Sequence, residues 1–142
     1  WVGGGREAVE RARAEARLLG VDHVVRFVGV QTDPVDWFSL LDVFVLPARE
    51  DPFPLVCLEA ASVGVPIVAF DNGGMPELLE QGCGLVVSYP DVTDFAGKVQ
   101  ELLRDPERRR RMGERGMELV GAKQDVTVAA PQLWADIEPW LA

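Results

Sequence analysis

Two carboxylates separated by seven residues offer chemistry in this chain: Asp51 and Glu59 of Asp51-Pro52-Phe53-Pro54-Leu55-Val56-Cys57-Leu58-Glu59. The first falls in a loop. The second falls in a helix that runs on through Ala60-Ala61-Ser62-Val63 and stops at Gly64. An ionised carboxylate only accepts hydrogen bonds, so each acid suits a hydroxyl-rich ligand. At the rise of an α-helix, Glu59 stands roughly 7 to 8 Å further along the axis than the helix start. One elongated ligand then meets both acids. Asp51 could accept from sugar hydroxyls near the loop and Glu59 could hold a ribose diol. Phosphates fall between them at the helix N-terminus, where unpaired amides and the helix dipole favour anions.

The elements that must hold these acids follow from hydrophobic periodicity. Val43-Phe44-Val45-Leu46 before the motif and Ile67-Val68-Ala69-Phe70 after it are continuous apolar runs, as expected of strands covered on both faces. Strands are also expected at Val24–Val28 and Gly84–Val87. Trp1-Val2 reads as the end of a further strand, running into a turn at Gly3-Gly4-Gly5. Helices are expected over 6–19, 34–41, 54–63, 76–80, 91–104, 106–120 and, interrupted by Pro131 and Pro139, 127–141. Alternation of this kind predicts an α/β fold: a doubly wound parallel sheet, Rossmann-like, with helices on both faces. Ligands in such sheets sit beyond the carboxyl ends of the strands. Three loops with suggestive content leave those ends: Gly3–Arg6, Pro47–Phe53 and Asp71–Glu77.

Composition bounds the function. The chain has 142 residues, 48% of them hydrophobic, within the range of one domain with a sizeable core. A net charge of −9 argues against non-specific binding to nucleic acid or docking on anionic membranes. Cys57 and Cys83 lack metal-like spacing, and the expectation is free thiols in a reducing, cytoplasmic setting. No apolar run reaches about 18 residues, so no transmembrane helix is expected, and no signal peptide is visible. An opening in mid-strand suggests a fragment. No His, Cys and Asp cluster has metal-ligand spacing, so no metal is implied.

Several residues have plainer readings. His23, the single histidine, reads as a surface residue and Cys57 as core packing. Arg108-Arg109-Arg110-Arg111, flanked by Asp105, Glu107 and Glu114, reads as a solvated helix face. Asp51 could serve as a simple helix cap. Trp134 and Trp140 read as packing anchors on the last helix, whose apolar surface could meet a partner domain or form a weak homodimer.

The motif, preceded by Leu46-Pro47-Ala48 and followed by Gly64-Val65-Pro66-Ile67-Val68-Ala69, resembles the signature of glycosyltransferase family 4. Phe27-Val28-Gly29, Leu41–Pro47, Gly73–Leu78, Gly82–Val86 and Leu102–Glu107 resemble segments around that signature, in the same order and over nearly the whole chain. The resemblance implies the C-terminal, donor-binding domain of a retaining enzyme of the two-domain GT-B arrangement. Such an enzyme moves a sugar from a nucleoside-diphosphate sugar (UDP- or GDP-linked) to an acceptor hydroxyl, without a metal. It implies that Glu59 binds the ribose and that Asp51 contacts the transferred sugar. It also implies that amides near Phe53, Pro54 and Leu55 face the diphosphate or sugar, that Gly3, Gly4 and Gly5 line the phosphate pocket, and that Arg26 and Phe27 lie near the base. Two departures stand out. The family usually has Glu where Asp51 stands, and often Gly where Pro54, which has no amide to donate, stands. The acceptor domain and the basic residues that neutralise the leaving diphosphate would lie upstream of Trp1, so the 142 residues alone are expected to be inactive. A non-catalytic nucleotide or nucleotide-sugar binding module is the alternative, and a domain that only packs against a partner is a third.

Overall fold

The computed structural model describes residues 1–141. The chain divides into two compact units, Trp1–Trp37 and Phe38–Ala142. The expected single domain spans both.

In the first unit, helix α1 (Arg6–Leu18) starts at Gly5 with no side-chain cap. Gly20, at φ +69°, follows its C-cap Leu19. The segment expected as a strand at 24–28 does not form one. It meets Trp1–Gly3 through a single parallel bridge, Val2 to Gly29. Three hydrogen bonds make this pairing: the Trp1 amino group to the Arg26 carbonyl (2.8 Å), the Val28 N–H to the Trp1 carbonyl (3.0 Å) and the Gly3 N–H to the Gly29 carbonyl (2.7 Å). Gly29, at φ +74°, then turns the chain out of the extended conformation, so the ladder cannot propagate. One helical turn, α2 (Val35–Phe38), stands where a helix over 34–41 is expected.

The second unit is built on a three-stranded parallel sheet in the order β1 (Phe44–Leu46), β2 (Ile67–Phe70), β3 (Gly84–Val87). Its register pairs Phe44 with Ile67 and Ile67 with Gly84. All four β2 residues are buried. Ile67 and Ala69 join a cluster with Cys57, Ala60, Ala61, Met75, Leu79 and Leu119. Val68 and Phe70 join a second cluster with Val87, Leu102 and the partly buried Phe95 and Val99. Alternate β2 side chains thus feed opposite cores, which is the period-two rule acting on a strand covered from both sides. The first cluster takes residues from α3 (Leu55–Ser62), α4 (Met75–Leu78) and α6 (Pro106–Lys123), and the second from α5 (Val92–Arg104). The expected α/β architecture with a parallel sheet is present.

Helix ends follow local chemistry. Asp91 caps α5 by accepting from Thr93 and Asp94 N–H, and Asp105 caps α6 by accepting from the Arg108 N–H. The basic run of α6 is engaged at its own surface. Arg108 pairs with Glu101, Arg110 pairs with Glu107 and Glu114, and Arg109 donates to the Leu102 and Leu103 carbonyls and to Asp42. α6 lies close to the end of α3. A Cβ built on Gly113 would stand 1.9 Å from the Gly64 carbonyl oxygen.

The last helix departs from expectation. α7 (Val126–Ile137) and the 3₁₀ turn Glu138–Trp140 bury no residue, and Trp134 and Trp140 are 57% and 87% exposed. Among the described residues they are therefore not packing anchors.

The close approach at Gly113 sets a stability test. Gly113→Ala must push against backbone rather than a movable side chain and should cost about 2 to 4 kcal/mol by urea denaturation. Gly97→Ala in α5, where a Cβ meets nothing within 4 Å, should instead gain about 0.5 to 1 kcal/mol from helix propensity.

Candidate functional site

In the second unit the acidic loop leaves β1 and enters α3. Pro54 is the N-cap of α3, in an extended conformation, and no side chain caps the helix. Asp51 is therefore not the helix cap. It is half-buried ahead of the helix start, and Glu59 is half-buried at the fifth helical residue. Among the described residues neither carboxylate has a hydrogen bond or ion pair. Phe53 and Leu55 are exposed at the helix entry, whereas Pro54 is buried. A proline N-cap fixes the entry angle but donates nothing, which leaves the amides at the start of α3 uncapped by side chains.

A second loop supports the first. After β2, Asn72 donates through its side-chain amide to the carbonyls of Ala48 (2.8 Å) and Arg49 (3.1 Å). The Gly74 N–H donates to the Pro52 carbonyl at 2.7 Å. Gly73 adopts φ +55°, and a Cβ there would stand 2.1 Å from the Asp51 carbonyl oxygen. A Cβ on Gly74 would collide with the Phe53 ring at 2.4 Å. Gly73 is required both by the backbone it meets and by the positive φ of the turn, whereas a side chain at Gly74 would have to displace the Phe53 ring. Asn72 is a residue that sequence reasoning did not select. An asparagine before two glycines reads as a turn former, and only the fold shows its side chain reaching the other loop.

Cys57 lies buried in the first turn of α3, in the packing role expected of it. Burial, with smaller contributions from the Asp51 carboxylate and Cys83, pushes its thiol from the ordinary 9.0 up to about 12. Burial also raises Cys83, whose thiol donates to the Leu78 carbonyl. Both cysteines are free and buried, and neither is a nucleophile at neutral pH.

In the first unit, Gly3 and Gly4 have positive φ and Gly5 opens the uncapped α1. A shallow cavity of about 490 Å³ is lined by Gly4, Gly5, Arg6, Arg13, Gly29 and Val30, among others. Arg26 is exposed, and its carbonyl accepts from the Trp1 amino group. The Phe27 ring packs against Trp1 at 5.9 Å and lies under the Arg13 guanidinium at 5.7 Å. Gly3 to Gly5 and residues 26–29 are brought together by the Val2 to Gly29 pairing.

This sheet, with a glycine-rich helix start in one unit and an acidic loop entering an uncapped helix in the other, has known relatives. Residues 1–119 match the family described as glycosyl transferases group 1, and the chain belongs to that family. It is 38% identical over 119 residues to a D-inositol 3-phosphate glycosyltransferase of Kribbella flavida, a match spanning 82% of this chain and 28% of that protein. It is 39% identical over 130 residues to a GDP-mannose-dependent α-(1-6)-phosphatidylinositol monomannoside mannosyltransferase of Mycobacterium tuberculosis, covering 84% of this chain and 34% of that one. Among solved structures, sucrose-phosphate synthase from Thermosynechococcus elongatus superposes with a TM-score of 0.88 at 29% identity, over 99% of this chain and 37% of its own. The C-terminal domain of a group 1 glycosyltransferase from Francisella tularensis shares the fold, with a TM-score of 0.72 at 23% identity over 85% of this chain and 64% of its own. The chain thus spans about a third of the length of the curated relatives it matches. Among the described residues, no helix is long and apolar enough to cross a membrane.

The Cys57 thiol carries a pH test. It ionises near 9.0 in the unfolded chain and near 12 in the folded one, so above pH 9 the unfolded state binds fewer protons. Stability is therefore constant below pH 9 as far as this group is concerned and falls as pH rises toward 12. Urea midpoints measured across that range should decline, and less steeply in Cys57→Ala.

Proposed function

We propose that this chain is the donor-binding part of a retaining glycosyltransferase. It holds a nucleoside-diphosphate sugar from which the sugar passes to an acceptor hydroxyl, with retention at the anomeric carbon and without a metal. The observation that carries this reading is the start of α3: a helix without a side-chain cap, preceded by Asp51 and bearing Glu59, with both carboxylates unpaired among the described residues. Half-buried carboxylates that no protein donor engages are open to the hydroxyl donors of a ligand. A ribose diol does so at Glu59 and the hydroxyls of the transferred sugar do so at Asp51, while the diphosphate takes the helix-start amides. Asp51 is one methylene shorter than the glutamate usual in the family and reaches less far, and Pro54 donates no amide, so one backbone donor fewer faces the ligand here. In the first unit, the Gly3–Gly5 turn into uncapped α1 is a second helix start whose free amides suit an anion.

Support comes from relatives named for the same chemistry. The M. tuberculosis relative is named as GDP-mannose-dependent, and an Anabaena protein of the same fold (TM-score 0.88, 22% identity) was solved in complex with UDP. The proposal includes an acceptor-binding domain outside these 142 residues, without which the chain binds donor but transfers no sugar. It also includes a cytoplasmic setting, where free thiols such as Cys57 and Cys83 persist. Purified chain that transfers sugar unaided would overturn the inactivity of the isolated domain.

Calorimetric titration with UDP and GDP tests the reading. One of the two should bind, and Glu59→Gln should weaken that binding by about 10- to 100-fold, the loss expected for hydrogen bonds to a charged acceptor. Asp51→Asn should leave the nucleoside diphosphate affinity unchanged and weaken only the nucleotide sugar. Unaltered affinity in Glu59→Gln removes the ribose role.

A further inference from the structure

The turn after β2 is more elaborate than turning the chain requires. A turn at Asp71–Gly74 needs the positive φ of Gly73, and an asparagine in such a turn ordinarily bonds its own backbone two residues on. Asn72 does something else. Both of its side-chain hydrogen bonds cross to a loop more than twenty residues earlier in the chain, to the carbonyls of Ala48 and Arg49. Two positions later the Gly74 N–H holds the Pro52 carbonyl, and between them Gly73 lies against the Asp51 carbonyl. Four of the five carbonyls from Ala48 to Pro52 are thus held or contacted by three consecutive residues. The turn itself is anchored. The Asp71 N–H donates to the Val87 carbonyl at 2.9 Å and extends the β2–β3 pairing, and the Asp71 carboxylate accepts from the Tyr89 N–H at 2.8 Å. The Asp51 side chain, by contrast, has no hydrogen bond of its own among the described residues. Its direction is set by the backbone beneath it.

We propose that Asn72 is a positioning residue for Asp51: by clamping the Ala48 and Arg49 carbonyls it fixes the backbone that aims the Asp51 carboxylate at the sugar of the donor. The proposal rests on the donor-binding reading above. Glu59 is carried by α3 and is independent of the clamp, so the clamp governs the sugar end of the ligand and not the nucleotide end.

The test uses this chain with Asn72→Asp, which keeps size and removes both donors, and Asn72→Ala, which also removes the repulsion between a carboxylate and two carbonyls. Two measurements are made on each folded variant. The first is the rate of trypsin cleavage after Arg49, an exposed residue in the clamped loop. The second is calorimetric affinity for UDP, UDP-glucose, GDP and GDP-mannose. Cleavage at Arg49 should accelerate about tenfold, matching the loss of one to two neutral hydrogen bonds. Affinity for the nucleoside diphosphate that binds should change by less than about twofold, while affinity for its sugar-linked form falls by about tenfold. Cleavage at the wild-type rate would show that Asn72 does not hold the loop. Faster cleavage with an unchanged ratio of sugar-linked to free nucleotide affinity would show that it holds the loop without aiming Asp51. An equal loss for both ligands would also overturn the proposal, because the effect would then reach the nucleotide end. Failure of the wild-type chain to bind any of the four ligands, with the loop loosened in the variants, would instead remove the donor-binding reading and the purpose assigned to the clamp with it.

Discussion

The burial of β2 on both faces is the constraint from which the larger unit follows. Ile67 and Val68 have no solvent exposure, and Ala69 and Phe70 almost none. Four consecutive apolar residues in a strand cannot be satisfied by one layer of helices, because alternate side chains point opposite ways. One core is therefore completed by α3, α4 and α6 and the other by α5. Full burial of side chains of this size contributes about 1.5 to 3 kcal/mol each, enough that the layer arrangement is dictated by these few positions. Parallel pairing with β1 and β3 then places the outgoing loops of β1 and β2 at the same end of the sheet. The acidic loop and the Asn72–Gly74 turn meet there.

That meeting point shows how a structural need and a chemical one share residues. Gly73 and Gly74 permit the two loops to touch, and any side chain would strike backbone at Gly73 or the Phe53 ring at Gly74. Pro54 ends the loop rigidly and starts α3 with no cap. Cys57 fills the space below and stays a neutral thiol because burial and the Asp51 charge both oppose its ionisation. Among the described residues the acids are left without hydrogen-bond or ion-pair partners.

Much of this was legible in the residues. The β1, β2 and β3 runs, the helices α1, α3, α5 and α6, the turn at Asp71–Gly74 and the surface character of the arginine run all lie within a few residues of where periodicity puts them. The misreadings have physical causes. Val24–Val28 has strand-forming residues, but its pairing with Trp1–Gly3 ends at Gly29, where positive φ leaves the extended conformation. Trp134 and Trp140 have the composition of core residues, and composition cannot say whether a covering surface exists.

The amino-acid sequence by itself determined the element order, the parallel α/β class and the seven-residue interval that puts one acid before a helix and another on it. Those properties are local or periodic: they depend on which side chains follow one another and on the geometry of a single helix or strand. Tertiary structure alone decided that Asn72 would reach Ala48 and Arg49, that Gly113 would need to be bare to admit Gly64, and that the last helix would have none of its residues fully buried. These are contacts between segments distant in the chain. Their distances are set by how two layers close on the sheet, and no interval along the chain encodes that closure.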